Sequence, residues 1–430
     1  MAEPVPADAP RLKPRGLLAV VIGNWLEFYD FIVYSFFAVQ IGKAFFPGDD
    51  VQLSLLFASL VFWAGFITRP IGAAVLGAYA DRAGRRAAMT VTILLMALGT
   101  GMIAFTPGYS EIGILAPILL VAARLIQGFS CGGEVGPATT YLLEAASANR
   151  RAAFTAWQGI TQQLAGVMGS GLGLILAANL STEDLESWGW RVPFFIGILI
   201  GPVGLYIRRS LPETLESHQT HASGLAVVGN LFRNNGTAVL LGVLCILGPT
   251  VSTYVSAYMT SYAITTLGLS NADSQFTTLC GYIAALAGFP IGAWFADRFG
   301  AKMSVIVPRV VFILVVYQAY LLMTADGATL ERIVLVNFVL NFILAVSYGG
   351  IYALLTEAFP MAVRSTGVSI AYALSVTIFG GSTQTVLTWL IATLGDPLVP
   401  AWYQIGANVL SLVGVALIMR AVADRARPAS

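Results

Sequence analysis

GAYADRAGRR, residues Gly77–Arg86, returns as GAWFADRFGAK at Gly292–Lys302, each time on the trailing edge of a long apolar run. Asp81 and Asp297 thus stand 216 positions apart in a chain of 430 residues. Glu144, in YLLEAASANRR, and Glu357, in LLTEAFPMAVR, repeat nearly the same interval at 213, and an arginine follows each six or seven positions later. Two unrelated landmarks at one half-length interval indicate a duplicated chain. In an apolar protein, duplication indicates a carrier assembled from two halves.

Composition places the chain in lipid. It is 57% hydrophobic and 10% charged, whereas a soluble chain carries about a quarter of its residues as charges. A net charge of +1 without a basic stripe argues against a nucleic-acid partner. Cys131, Cys245 and Cys280 sit in apolar runs without metal spacing and read as small buried hydrophobes. Met1–Pro10 has no cationic start leading into an apolar core, so no cleaved signal is expected and the first span does the targeting. No nucleophile–base motif, phosphate loop or metal box is present, so neither an enzyme nor a cofactor is expected.

Twelve apolar runs of about 20 residues follow one another, the first near Leu17–Phe37 and the last near Trp402–Arg420. The expected fold is therefore all-α, with twelve transmembrane helices in two six-helix halves. The layout is a tail over 1–16, a first half over 17–207, a linker over 208–237, a second half over 238–420 and a tail over 421–430. With both termini cytoplasmic, the cytoplasmic segments hold 17 Lys and Arg and the opposite side three, Lys43, Arg191 and Arg332. The linker contains Pro212 and both histidines. His218 and His221 have i,i+3 spacing, but no Cys or acid cluster completes a metal site, and they read as a solvated loop.

Six ionisable residues fall inside the apolar runs: Glu27, Asp30, Arg69, Arg124, Glu134 and Arg309. Each costs several kcal/mol if unpaired in hydrocarbon, so each should turn inward and find a partner. At about 1.5 Å rise per residue, Asp30 and Arg124 lie at matching depths of about 10–12 Å, and Arg69 and Glu134 at about 24–27 Å. The expectation is an outer ion pair Asp30–Arg124 and an inner pair Arg69–Glu134, with Glu27 unmatched near the midplane. Asn24, Glu27 and Asp30 share one helix face. Glu27 and Asp30, together with Glu134, read as proton-coupling groups; the alternative is that the three residues of this face are polar glue between helices.

Arg124 opens RLIQGFSCGGE, where Gln127 shares its face and Gly128, Gly132 and Gly133 admit a second backbone closely. A buried guanidinium matches a carboxylate bidentately; the plainer reading is a structural bridge to Asp30. Asn24, Arg124, Gln127, Gln158, Gln162, Tyr254 and Tyr258 are the expected substrate contacts. Arg309 is another, unless it snorkels to lipid headgroups. Arg69, Asp81, Arg85, Glu144, Asp297, Arg298, Glu357 and Arg364 read as gate and helix-end bracing, with Gly84 and Gly300 permitting tight turns.

The two DRxG loops resemble the loop signature of the major facilitator superfamily. GNWLEFYDF, RPIGA, RLIQGFSCGGE, WGWRVPF and RRSLPET, in that order, resemble its metabolite–proton symporter branch. YLLEAA, WQGITQQ and LTEAFPMAVRSTGVSIAYALSVTIFGG are similar to citrate–proton symporters and 2-oxoglutarate permeases. The resemblance implies core functional roles for Glu27, Asp30, Arg124 and Glu134 and a gate at Asp81 with Arg85. The second loop departs from the pattern at Ala301, where an arginine is usual. The expected activity is proton-coupled import of a di- or tricarboxylate by alternating access. The expected partners are a small organic anion and the lipid bilayer of a bacterial inner membrane, with the chain working as a monomer. A zwitterionic osmolyte such as proline or betaine is the alternative cargo; such carriers tend to bear a C-terminal coiled coil, and no heptads follow span 12 here.

Overall fold

Inside a bilayer a backbone must satisfy its own hydrogen bonds, which leaves helices as the simplest spanning structure. A computed structural model of the chain describes residue 25 and residues 28–83, 85–132, 151–209, 224–359 and 363–426. The described residues form helices and turns with no strand. Seven of the helices are long and apolar enough to cross a membrane: Val51–Leu76, Gly159–Asn179, Leu231–Thr265, Asn271–Phe299, Ala301–Thr324, Thr366–Leu394 and Val399–Val422. Three shorter apolar helices, Thr90–Phe105, Leu115–Cys131 and Gly189–Leu199, pack among them.

The helix ends carry local signals. Asp50, Ser270 and Thr329 cap the helices that follow by accepting hydrogen bonds from backbone N–H groups two or three residues on. Gly300, at φ +88°, makes the sharp turn between Asn271–Phe299 and Ala301–Thr324, a conformation that glycine adopts without strain.

Several expected spans are broken where the sequence suggested one continuous helix. Val51–Ile67 and Arg69–Ala83 meet at Thr68, whose hydroxyl donates to the Leu125 carbonyl at 2.8 Å. The helix Gly224–Thr265 starts inside the expected linker and leaves helical geometry at Asn235 (φ −135°, ψ 25°), in the poorly helix-forming run Asn234–Asn235–Gly236. The eleventh expected span contains a π-helical turn, Val376–Gly380. There Trp63 Nε1, from the first half of the chain, donates to the Thr377 carbonyl at 3.1 Å. Such π turns disturb the regular ladder and commonly sit where function needs it disturbed.

The largest buried cluster draws on residues between Tyr29 and Phe194, joined by Tyr282 and Val376. Two further clusters draw mainly on residues from Leu231 to Ile418. Between them runs a seam with a seven-residue repeat on both sides. Phe289, Tyr282 and Gln275 pack against Gly159, Gly166 and Gly173, where a Cβ at any of the three glycines would collide with its partner. Knobs recurring every seven residues keep two helices in step along their length. Near one end, Gln275 Nε2 donates to the Phe36 carbonyl at 3.1 Å, Gln384 Nε2 to Ser35 Oγ at 2.7 Å and Gln40 Nε2 to Asn271 Oδ1 at 2.9 Å.

Candidate functional site

A small cavity lies where the helical residues 28–36 face Leu231–Thr265. Its wall is Phe28, Phe31, Ile32, Ser35, Phe62, Arg69, Thr253, Tyr254 and Ala257, so both halves of the chain contribute. Arg69 is the one charged residue on it. Its guanidinium lies 4.3 Å from the ring centres of both Phe31 and Phe66. Arg124 stacks on the same Phe31 ring at 4.3 Å, and on Tyr34 and Phe62 at 4.4 and 5.0 Å. The electron-rich faces of aromatic rings favour a cation by roughly 2 kcal/mol or more when water is excluded.

Arg124 is fully buried; its Nη1 donates to Gln127 Oε1 at 2.8 Å, while Nε and Nη2 have no hydrogen-bond partner among the described residues. Leu115–Cys131 can bring it so close because Gly128 and Gly132 lie against the backbones of Gly65 and Arg69, with no room for a Cβ. The expected close backbone approach is present at these two glycines.

The expected ion pair Asp30–Arg124 is replaced by a chain. Asp30 Oδ2 accepts from Thr100 Oγ1 at 2.9 Å, Thr100 Oγ1 accepts from Gln127 Nε2 at 2.9 Å, and Gln127 Oε1 accepts from Arg124. No ion pair joins the two charges directly; among the described residues Lys43–Glu186, at 2.6 Å, is the one salt bridge that closes. The side chain of Asp30 is not on the cavity wall; it faces Thr100 and Gly197. Arg69, expected with the gate, stands on the cavity wall.

The second half places its residues differently from expectation. Tyr254 lines the cavity and packs edge-on against Phe66. Tyr258 is buried one turn away, its hydroxyl accepting from Thr388 Oγ1 at 3.1 Å, and it is not on the cavity wall. Arg309 neither snorkels nor reaches this cavity: it is fully buried, with Nη1 donating to Ser411 Oγ at 2.8 Å. Gln162 is half-buried, with its amide nitrogen unpartnered. Asp297, Arg298 and Glu357 are exposed at helix ends. Asn24, Glu27, Glu134 and Glu144 lie outside the described residues, as do the side chains of Asp81, Arg85, Gln158 and Arg364. The inner pair Arg69–Glu134 falls outside them as well.

Thr100 and the buried pair Asn337 and Asn341 escaped the sequence reading. Thr100 had one signal, its position between Gly99 and Gly101 in an otherwise apolar run. Asn337 Nδ2 donates to the Thr277 carbonyl and Asn341 to Asn337, and Ser256 donates to Asn341 Oδ1 at 2.7 Å.

Apolar helices closed around a small chamber, with arginines buried at and behind its wall, define a membrane carrier of small solutes. The family comparison agrees: residues 20–382 match the Major Facilitator Superfamily, and the chain belongs to it. It is a multi-pass membrane transport protein. The chain is 35% identical to the citrate-proton symporter of Salmonella typhi over 420 residues, 97% of this chain and 96% of that one. It is 31% identical to the glycine betaine/proline/ectoine/pipecolic acid transporter OusA of Dickeya dadantii (strain 3937), over 97% of this chain and 85% of that one. A crystal structure of a D-xylose-proton symporter superposes with a TM-score of 0.75 at 19% identity, covering 94% of this chain and 96% of that one; this likeness concerns the fold.

Proposed function

We propose that the protein is a proton-coupled symporter that imports a di- or tricarboxylate such as citrate by alternating access. In this reading it has twelve spans in two six-helix halves, both termini are cytoplasmic, and it works as a monomer in a bacterial inner membrane. The observation that carries the reading is the stacking of two arginines, Arg69 and Arg124, on the one ring of Phe31 at the chamber wall. Two cations sharing a ring repel each other, and an anion entering the chamber relieves that repulsion. A guanidinium also offers a planar fork to a carboxylate.

Asp30 is the proton carrier in this scheme, with Glu27 and Glu134 as further carriers. A carboxylate with one oxygen unpartnered in a dry site is costly to hold, and a bound proton removes the cost. Protonation from outside would remove the negative end of the chain to Arg124 and leave the arginine pair to the substrate. Movement inward, deprotonation and release would follow. Gln40–Asn271, Gln275–Phe36 and Gln384–Ser35 then close the outer mouth, since the first span runs outward in this topology. No cofactor beyond the coupling proton takes part. The relationship to a citrate-proton symporter over almost the whole chain supports the reading.

One observation favours a second cargo. Phe28, Phe31, Phe62 and Tyr254 make four of the nine wall residues aromatic around a single charge, a composition that also suits a quaternary ammonium or proline zwitterion. Uptake of citrate, 2-oxoglutarate, proline and betaine into proteoliposomes with an imposed inward proton gradient decides between the two. Gradient-driven citrate uptake is expected, and it should be lost in Glu27→Gln with Asp30→Asn. Uptake indifferent to the gradient, or surviving that double substitution, contradicts proton symport. Gradient-driven uptake of betaine and not of citrate selects the second cargo.

A further inference from the structure

The path between Asp30 and Arg124 has a direction. Arg124 Nη1 donates to Gln127, Gln127 Nε2 donates to Thr100, and the Thr100 hydroxyl donates to Asp30, over 2.8, 2.9 and 2.9 Å. All three bonds point from the cation to the acid, and all four side chains are buried. In a low-dielectric interior such a chain polarises along its length, so each bond strengthens the next.

The backbone is shaped around these groups. At Gly99, beside Thr100, a Cβ would stand 2.6 Å from Gln127 Cγ; at Gly197 it would collide with Asp30 Oδ1. Two glycines on separate helices make room for the two groups that flank Thr100. No other charged side chain of the described residues stands near Asp30. It is faced by Arg124 from Leu115–Cys131 and by Tyr29 on its own helix, while Thr100 and Gly197 bring no titratable group from theirs. Arg124 is faced in turn by Tyr34, Cys131 and Arg69.

We propose that Thr100 is a positioning residue for coupling: together with Gln127 it carries the protonation state of Asp30 to the guanidinium of Arg124. With Asp30 ionised, the Thr100 hydroxyl is committed to it, Gln127 is held with its carbonyl on Nη1, and Arg124 is retained away from the chamber. With Asp30 protonated, the acid becomes a donor toward Thr100 Oγ1, and the threonine hydrogen must turn elsewhere. The amide of Gln127 then loses the charge that oriented it, and Arg124 is freed to meet an anion. Proton and substrate therefore communicate without touching.

The inference rests on the symport reading above, and the experiment separates the two. Wild type, Asp30→Asn, Thr100→Val and Thr100→Ser are reconstituted, and labelled citrate uptake is measured at equal pH and with an inward proton gradient. The readout is the ratio of the two rates and its dependence on external pH. Thr100→Val removes the hydroxyl at nearly constant shape, and the ratio should fall about tenfold, as for a lost hydrogen bond to a charged group. Thr100→Ser should restore it. Gln127→Met cuts the chain from another helix and should lower the ratio to a similar extent, with the double variant no worse than either single one. This second cut keeps the test decisive if Thr100→Val fails to insert. A Thr100→Val or Gln127→Met protein that is slower in both conditions but keeps the wild-type ratio and pH profile overturns the relay. A ratio unchanged in Asp30→Asn likewise overturns the relay, whereas a wild-type ratio near one overturns proton symport itself.

Discussion

Arg124 and Asn337 stand 213 positions apart, the interval that separates Glu144 and Glu357. Gly65 and Gly281, 216 apart like the two loop aspartates, each lie against one of them. A Cβ at Gly65 would stand 3.0 Å from the Arg124 carbonyl, and one at Gly281 2.6 Å from the Asn337 amide nitrogen. The spacing repeats but the chemistry does not. In the first half this position bears a charge whose Nε and Nη2 are unpartnered. In the second it bears a neutral amide that bonds to Thr277 and Asn341. A satisfied neutral network rigidifies a core, whereas a half-satisfied buried cation is costly to maintain unless something uses it. At this pair of positions the first half bears the charge and the second a neutral amide; the buried cation of the second half, Arg309, sits elsewhere, beside Ser411.

The largest effect should come from making the first half like the second. Arg124→Asn should lower gradient-driven citrate uptake by about a hundredfold or more, since truncating one member of a buried charged network is strongly destabilising; uptake within a few-fold of wild type would break the comparison. Arg69→Gln removes the charge on the chamber wall and should raise the KM for citrate about tenfold with a smaller change in maximal rate. Initial-rate uptake over a range of citrate concentrations separates those two parameters. Asn337→Ala should lower the melting temperature in detergent while leaving the pH profile of transport unchanged, because it breaks one or two neutral bonds of about 1 kcal/mol each. A shifted pH profile there would place charge handling in the second half too. Lys43→Ala should be the mildest, costing less than about 1 kcal/mol of stability, since the Lys43–Glu186 pair is partly exposed; thermal melts at low and high salt check it.

Much of the fold could be read without coordinates. Apolar length, the repeated loop and the buried charges all follow from hydrophobic patterning, which is local. Breaks at Thr68 and Val376–Gly380 were less legible, because an apolar run looks continuous whether or not its backbone stays α-helical. Gly128 and Gly132 were legible as contact points because small residues in lipid have few other uses. The partner of Asp30 was not. Helical rise gives the depth of a side chain in the bundle, but the rotation of each helix about its axis depends on all its neighbours.

From sequence alone come the membrane helices, the duplication and the identity of the charges that had to be hidden, because water and hydrocarbon sort residues one at a time. Tertiary packing decided which of them meet. It set Arg69 on the chamber wall, placed Arg309 beside Ser411 and away from that chamber, and put Thr100 between acid and amide. Those outcomes depend on how helices distant in the chain are turned toward one another, and hydrogen bonds of 2.8–2.9 Å tolerate little error in that rotation.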